Sequence, residues 1–328
     1  MNSPHGHPPG GGAAGDPASS DLEARLRGSR SGWIRWIFLA GLTALVFWFV
    51  FQRLDMAAVQ DTFRRADLRW VALAGLITVT FPAFSALRWG RMLAALGHPI
   101  RFSEAFEMIM AAWPMGTITP SKAGDVVKAY YLKDRVPVRV VLGSVLAERA
   151  VDVLVLLALA LFGCLAFGRT ELALLSGAGL FAGIAGIFVA LKVRLPLPPK
   201  IAEKIEGVLL SLRTLGQSPS LLGSVVLLTI LNWMASVVQV VFCYKAFGVD
   251  ISLLFATGAL PLAIFVGLLP VTLSGMGTRD SALIALFAAF AEPEVSLGVG
   301  LLYTLFGYGV PGIAGLPFMR RVLGRMRS

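Results

Sequence analysis

Charge is scarce in this chain. Only 15% of its 328 residues are Asp, Glu, Lys or Arg, 56% are hydrophobic, and mean hydropathy is +0.76. A soluble domain carries about 25% charged and about 45–50% apolar residues, so a water-soluble globule is excluded as the bulk of the molecule. Cysteine is scarcer still. Cys164 and Cys243 both fall in apolar runs and imply packing rather than a disulfide framework. His5, His7 and His98 stand apart from any Cys or acidic cluster, so no metal site is expected. The chain has no G-x-S-x-G, H-E-x-x-H or P-loop pattern, and no cofactor or catalytic residue set is expected from it. Acidic residues are also few, 19 against 29 Lys and Arg, a formal net charge of +10. The bases sit mostly in short loops between apolar runs, which is the positive-inside pattern of a membrane protein. A nucleic-acid partner is therefore not expected.

What the chain does have is long apolar runs. Residues 33–51, 70–87, 140–167, 172–191, 221–247 and 297–318 each approach or exceed the roughly 18–20 residues that cross a bilayer as a helix. Residues 1–32 are rich in Gly, Pro, Ala and Ser and carry Arg25, Arg27 and Arg30, a disordered basic tail. No small-residue cleavage site follows the first run, so it reads as an uncleaved span. Arg88, Arg91 and Arg101 form a basic loop after the second span. In the fourth, Gly179 and Gly183 are spaced for close helix contact. Around 200–214, Ile201, Ile205, Val208 and Leu212 recur at helical spacing opposite Lys200, Lys204 and Arg213, an amphipathic surface helix. Arg320, Arg321, Arg325 and Arg327 place the C-terminus in the cytoplasm with the N-terminus. The expected organisation is a tail over 1–32, a single helical membrane domain over 33–319 and a basic tail over 320–328. The expected location is a bacterial cytoplasmic (inner) membrane.

Two regions do not fit full spans. Residues 103–118 are apolar but interrupted by Trp113-Pro114 and Gly116, with basic residues on both sides. Residues 278–291 are 14 in number; as a helix they reach about 21 Å, short of the roughly 30 Å hydrocarbon core. Each reads as part of a hairpin that enters and leaves on one side, which is tolerated where protein or a watery cavity surrounds it. The fold class predicted is an all-α polytopic membrane protein with about six full spans, two re-entrant or broken helical hairpins, and an inverted repeat relating the hairpins.

The two elbows share a pattern. Thr119 to Gly124 and Thr272 to Gly277 both read T-x-S-x-x-G, and each is followed by charge. Ser121, Gly124, Ser274, Gly275 and Gly277 allow tight turns that leave backbone N–H groups open. The helix that follows begins with unpaired donors and partial positive charge, which favour an anion. Lys122, Lys128 and Arg279 supply full positive charge, while Asp125 and Asp280 either cap the helices or pair with these bases. A purely structural role, capped helix starts with Gly at the turns, stands beside the anion-binding one. In an inverted repeat such half-helices place substrate near the midplane. A third polar feature lies inside a span. Glu148, Arg149 and Asp152 occupy an arc of about 100° with Ser144 beside it, so one helix face must look inward. Either Arg149 and Asp152 lock the helix as an internal pair, or Arg149 takes a phosphate with Glu148 or Asp152 tuning it. Ionisable groups inside a membrane mark functional sites by default.

Together the S-K-A-G-D-x-x-K-A-Y-Y-L elbow (121–132), the E-R-x-x-D helix (148–152) and the L-P-V-T-L-S-G-M-G-T-R-D block (269–280) resemble the transmembrane, flippase-like region of the lysylphosphatidylglycerol synthases. The resemblance runs over roughly 33–318. It implies a protein that moves an anionic or amphiphilic lipid between leaflets, with the residues above around its headgroup. It also implies a stand-alone member, since the chain ends at Ser328 without a soluble aminoacyl-transferase domain. Two other functions stay open: a membrane-embedded transferase acting on a lipid-linked substrate, and a non-transporting scaffold that holds a partner lipid-synthesis enzyme at the membrane.

Overall fold

In hydrocarbon, every backbone N–H and C=O must find its partner within the chain, so long apolar runs become helices. The computed structural model describes residues 56–118, 125–192, 199–268 and 275–325, together with Gly41, Trp48 and Thr272. Among the described residues the regular structure is helical throughout. The expected tail over 1–32 and the first span over 33–51 lie outside the described residues, apart from those two isolated positions.

In chain order the helices are α1 (Met56–Arg64), α2 (Leu68–Ile77), α3 (Thr80–Ala95), α4 (Phe102–Ile118) and α5 (Asp125–Leu132). They continue with α6 (Val138–Ala166), α7 (Thr170–Lys192), α8 (Pro199–Gln217), α9 (Pro219–Ala246) and α10 (Leu253–Leu268). Last come α11 (Thr278–Phe287), α12 (Pro293–Thr304), a π-helical turn over Leu305–Gly309, and α13 (Val310–Arg325). Among the described residues five stretches are long and apolar enough to cross a bilayer: Leu68–Ala95, Val138–Ala166, Thr170–Lys192, Pro219–Ala246 and Pro293–Val322. This is an all-α multi-pass membrane protein. Leu174, Phe181 and Phe188 on α7 are widely exposed, as a lipid-facing surface requires.

Contacts sort the connections between two ends of the bundle. At one end Arg139 pairs with Glu206, Arg135 donates to Glu104, and Phe106 packs edge-to-face with Phe318. At the other, the Asp67 N–H donates to the Ala246 carbonyl, Phe63 packs on Phe247, and Phe167 packs on Phe255. The pair α4–α5 starts and finishes at the first end, and α10–α11 at the second. With 10 residues, α11 is only about 15 Å long. The two hairpins enter from opposite ends.

Several local details follow from residue type. Pro114 lies inside α4 without breaking it. It has no N–H for the Met110 carbonyl. Gly315 of α13 passes so close to that carbonyl that a Cβ there would collide with it. Pro311 likewise has no N–H for the Gly307 carbonyl. The chain adopts a π turn there, and the Trp113 indole donates to that carbonyl at 3.1 Å. The second elbow needs its glycines. Gly275 and Gly277 have φ of +76° and +88°, a region that side chains rarely enter. The amphipathic stretch near 200–214 is α8, and it packs along α6 where Gly143 meets Gly207.

Candidate functional site

The arginine read as a loop residue is the centre of a buried polar network. Arg88 lies inside α3, which continues to Ala95, and only 7% of its side chain is exposed. The periodicity continues past it, since Trp89, Met92 and Leu93 are all buried. Those apolar positions are the sequence signal for the longer helix.

Arg88 spreads its fork over two acidic side chains from α6. Its Nε donates to Glu148 Oε1 at 3.0 Å. Nη1 donates to Asp152 Oδ1 at 2.6 Å and to Thr229 Oγ1 of α9 at 2.8 Å, while Nη2 reaches Asp152 Oδ2 at 3.3 Å. The indole of Trp233 adds a 3.3 Å donation to Asp152 Oδ1. A buried charge persists only when paired and hydrogen-bonded, and this network joins α3, α6 and α9 on that principle. Arginine suits the position because its planar guanidinium serves several acceptors at once.

Above the network lies a cavity of about 200 Å³, walled by α3, α4, α5, α6, α9 and the α12–α13 helix. Lys128 of α5 is buried in its wall with its Nζ 5.2 Å from the centre of the Trp89 ring. Arg149 also lines it. Its side chain is 46% exposed, and it reaches Asp152 Oδ2 at only 3.4 Å. The described lining therefore holds three cations, Arg88, Lys128 and Arg149, and two acidic residues, Glu148 and Asp152. The formal excess is one positive charge, surrounded by apolar helices.

Of the residues expected to form one site, the structure brings together Lys128, Glu148, Arg149 and Asp152. Arg279 and Asp280 are buried at the N-terminus of α11 and do not line this cavity. Asp280 accepts from the Gly277 N–H at 3.0 Å and from Arg279 Nη2 at 2.7 Å. Arg279 Nη2 also donates to Thr304 Oγ1 at 2.5 Å, and its guanidinium lies over the Tyr303 ring at 4.7 Å. Tyr303 is itself a cavity wall, hydrogen-bonded through its hydroxyl to Ser236 at 2.7 Å. Arg279 thus stands behind the wall. Gly275 and Gly277 form its turn. Ser121, Lys122, Gly124 and Ser274 lie outside the described residues, and Asp125 is described only as the first residue of α5. Among the described residues no cluster of three or more His, Cys, Asp or Glu could hold a metal ion.

Sequence reasoning missed Arg88, Thr229, Trp233 and Tyr303. The last three are ordinary components of apolar spans, and nothing in their local sequence marks them. Only the packing of α9 against α6, and of α12 against α9, selects them.

Comparison with known proteins bears on the same stretch. A family profile described as the lysylphosphatidylglycerol synthase TM region matches residues 35–315. The chain is similar to a UPF0104 membrane protein of Methanothermobacter thermautotrophicus, 23% identical over 300 residues covering 79% of this chain and 88% of that protein. It is also similar to UPF0104 membrane protein MJ1595 of Methanocaldococcus jannaschii, 23% identical over 278 residues, covering 75% and 82%. A third relative, Glycosyltransferase AglD of Haloferax volcanii, is 25% identical over 312 residues, covering 80% of this chain but 50% of AglD.

Proposed function

The chain belongs to the family of lysylphosphatidylglycerol synthase transmembrane regions, and from that premise we propose that it is a flippase-like translocase that carries an anionic lipid headgroup through a charged cavity inside the bilayer. The observation that carries this reading is the cavity itself. Lys128 and Arg149 stand over the Arg88–Glu148–Asp152 network, whose formal charge is one negative, and the walls are membrane spans. Arg88 is committed to acidic partners on two sides. Lys128 and Arg149 are the cations that give the cavity its excess charge, and a phosphate oxygen bonds well to either. The two short hairpins let the headgroup cross less than the full hydrocarbon thickness unaided. The partner is the lipid, the membrane is the cytoplasmic membrane, and both chain termini lie on its cytoplasmic side.

The test is reconstitution of the purified protein in liposomes containing fluorescent phosphatidylglycerol, scored by reduction of the label with an impermeant quencher. Protein-dependent movement is expected, falling roughly ten-fold or more in Arg149→Ala or Lys128→Ala if each supplies one charge-assisted bond. Movement no faster than in empty liposomes, across several anionic headgroups, overturns the proposal.

The name of one relative favours a second reading, a membrane-embedded transferase acting on a lipid-linked sugar. The relative is a glycosyltransferase of which the matched stretch is half. Covalent modification of a lipid by the purified chain alone would select it over transport.

A further inference from the structure

The long span Pro293–Val322 is not held uniformly. Its first part, α12, is bonded into the bundle. Tyr303 shares a 2.7 Å hydrogen bond with Ser236 of α9, the Tyr244 hydroxyl of α9 donates to Ser296 at 3.2 Å, and Arg279 of α11 donates to Thr304. Its last part, α13, packs along α4 instead, with Gly315 against the Met110 carbonyl and Phe318 against Phe106. Between the two parts lies the π turn over Leu305–Gly309. Such wide turns recur at functional sites, and they share with proline the places where helices bend. Here both occur together, since Pro311 follows the turn by two residues.

The turn is softer than packing requires. Gly307 lies in helical backbone, without the positive φ that calls for glycine, and a Cβ there would meet nothing within 4 Å. Neither space nor backbone explains the residue, whereas a glycine inside a helix makes it easier to deform. The Gly307 carbonyl finds no N–H on Pro311, and the Trp113 indole of α4 donates to it at 3.1 Å. Trp113, Gly307 and Tyr308 all line the charged cavity. The walls on α3, α6 and α9 are stiffer, because the Arg88 fork ties them with charge-assisted hydrogen bonds. Helix α4 joins α3 through an apolar cluster holding Trp89, Ala105 and Met108, a non-directional contact. The soft turn and its hydrogen bond to a re-entrant helix thus meet at one point of the cavity wall.

We propose that this point is a gate: α13 and α4 swing together about the π turn to widen the cavity, and the Trp113–Gly307 hydrogen bond is the latch that holds it closed. Ile313 and Leu316 of α13 are widely exposed, so lipid rather than protein lies outside the moving pair. Close contact at Gly315 keeps α4 and α13 together while α12 stays bonded to α9 and α11. Breaking the latch strands a carbonyl, which is costly in hydrocarbon and cheap once water reaches it. Opening of the gate and wetting of the cavity are therefore coupled. The use of the gate in moving lipid rests on the translocation reading; the motion itself does not.

Hydrogen–deuterium exchange of the full-length protein in detergent micelles reads the motion without any ligand. Trp113→Phe keeps a ring and removes the donor. It is expected to speed exchange of the amides in residues 305–316 roughly three-fold or more, as loss of one hydrogen bond implies, and to leave those of residues 145–160 in α6 unchanged. Gly307→Ala adds a methyl where there is room and stiffens the turn; it should slow exchange over 305–316 about two-fold or more. Exchange as in wild type in either variant overturns the gate, and so does a rise in Trp113→Phe spread evenly over α6 and α13. Lipid movement in the liposome assay is expected to quicken in Trp113→Phe and slow in Gly307→Ala. If exchange responds locally but wild type moves no lipid, the gate stands and the translocation reading falls. If wild type moves lipid and neither variant changes the rate, translocation stands and the gate has no part in it.

Discussion

Arg88 and Arg149 are two arginines within one network, and their surroundings divide their roles. Arg88 is enclosed and holds Glu148 and Asp152, whereas Arg149 is half exposed and reaches Asp152 Oδ2 at 3.4 Å. Removing one partner of a buried ion pair strands the other, at about 3–5 kcal/mol. Arg88→Ala is therefore expected to lower the apparent Tm in detergent steeply, and Arg88→Lys to recover only part of the loss, since one ammonium cannot copy the fork. Arg149→Ala should change stability by no more than about 0.5 kcal/mol while losing anionic-lipid binding, as befits a partly exposed side chain outside the core. Thermal unfolding and lipid titration on the same three variants check this. Equal destabilisation by Arg88→Ala and Arg149→Ala would refute the division. The E-R-x-x-D pattern was legible in the sequence because charge inside a span is conspicuous. Its main partner was not, because Arg88 stands 60 residues away from Glu148 in the chain.

At the scale of elements, glycines set how closely the spans approach. Gly163 of α6 and Gly258 of α10 cross backbone to backbone, and Gly143 of α6 does the same with Gly207 of α8. A Cβ on Gly258 would lie 2.9 Å from the Gly163 carbonyl carbon, and one on Gly163 would lie on the Gly258 backbone. Gly163→Ala and Gly258→Ala are expected to cost about 1–3 kcal/mol each, as overpacking does. Gly223→Ala on α9, with nothing within 4 Å, should be neutral or stabilising by up to about 1 kcal/mol from helix propensity. Apparent Tm values of the three variants decide; a Gly258→Ala protein as stable as Gly223→Ala would contradict the crossing. The sequence drew attention instead to Gly179 and Gly183 of α7. The structure sets those against Leu157 and Leu154 side chains, not against another backbone. Small-residue spacing says that a helix can be approached closely, but not by what.

For the whole molecule, the two ends differ in charge. Arg101, Lys133, Arg135, Arg139, Lys192 and Arg213 gather at the end where α4 and α5 begin and finish. Arg64, Arg65 and Arg169 are among the few bases at the other. The positive-inside rule predicts that the first end faces the cytoplasm. In a background with Cys164 and Cys243 replaced by Ala, single cysteines are introduced by Asp134→Cys, Gln217→Cys, Asp250→Cys and Glu292→Cys, all at exposed positions. In intact cells an impermeant maleimide should label positions 250 and 292, and label positions 134 and 217 only after lysis. The reverse pattern would invert the orientation, and labelling of 134 and 250 from one side would refute the opposed hairpins.

The helical class, the spans and the interrupted hairpins were determined by the sequence alone, because apolar length and helix-breaking residues act locally and hydrocarbon leaves the backbone no alternative. The family could also be recognised there, since its motifs are contiguous. The makeup of the cavity was decided only by tertiary packing. Arg88 and Trp233 bond to the acidic pair Glu148 and Asp152, Thr229 accepts from Arg88, and Tyr303 lines the same cavity, because α3 and α9 pack against α6 and α12 packs on α9. Packing likewise turned Arg279 toward Asp280 and Thr304, behind the Tyr303 wall. An ionisable side chain in a span must find a partner, but the one it finds depends on which helices lie beside it, and that information is not local in the chain.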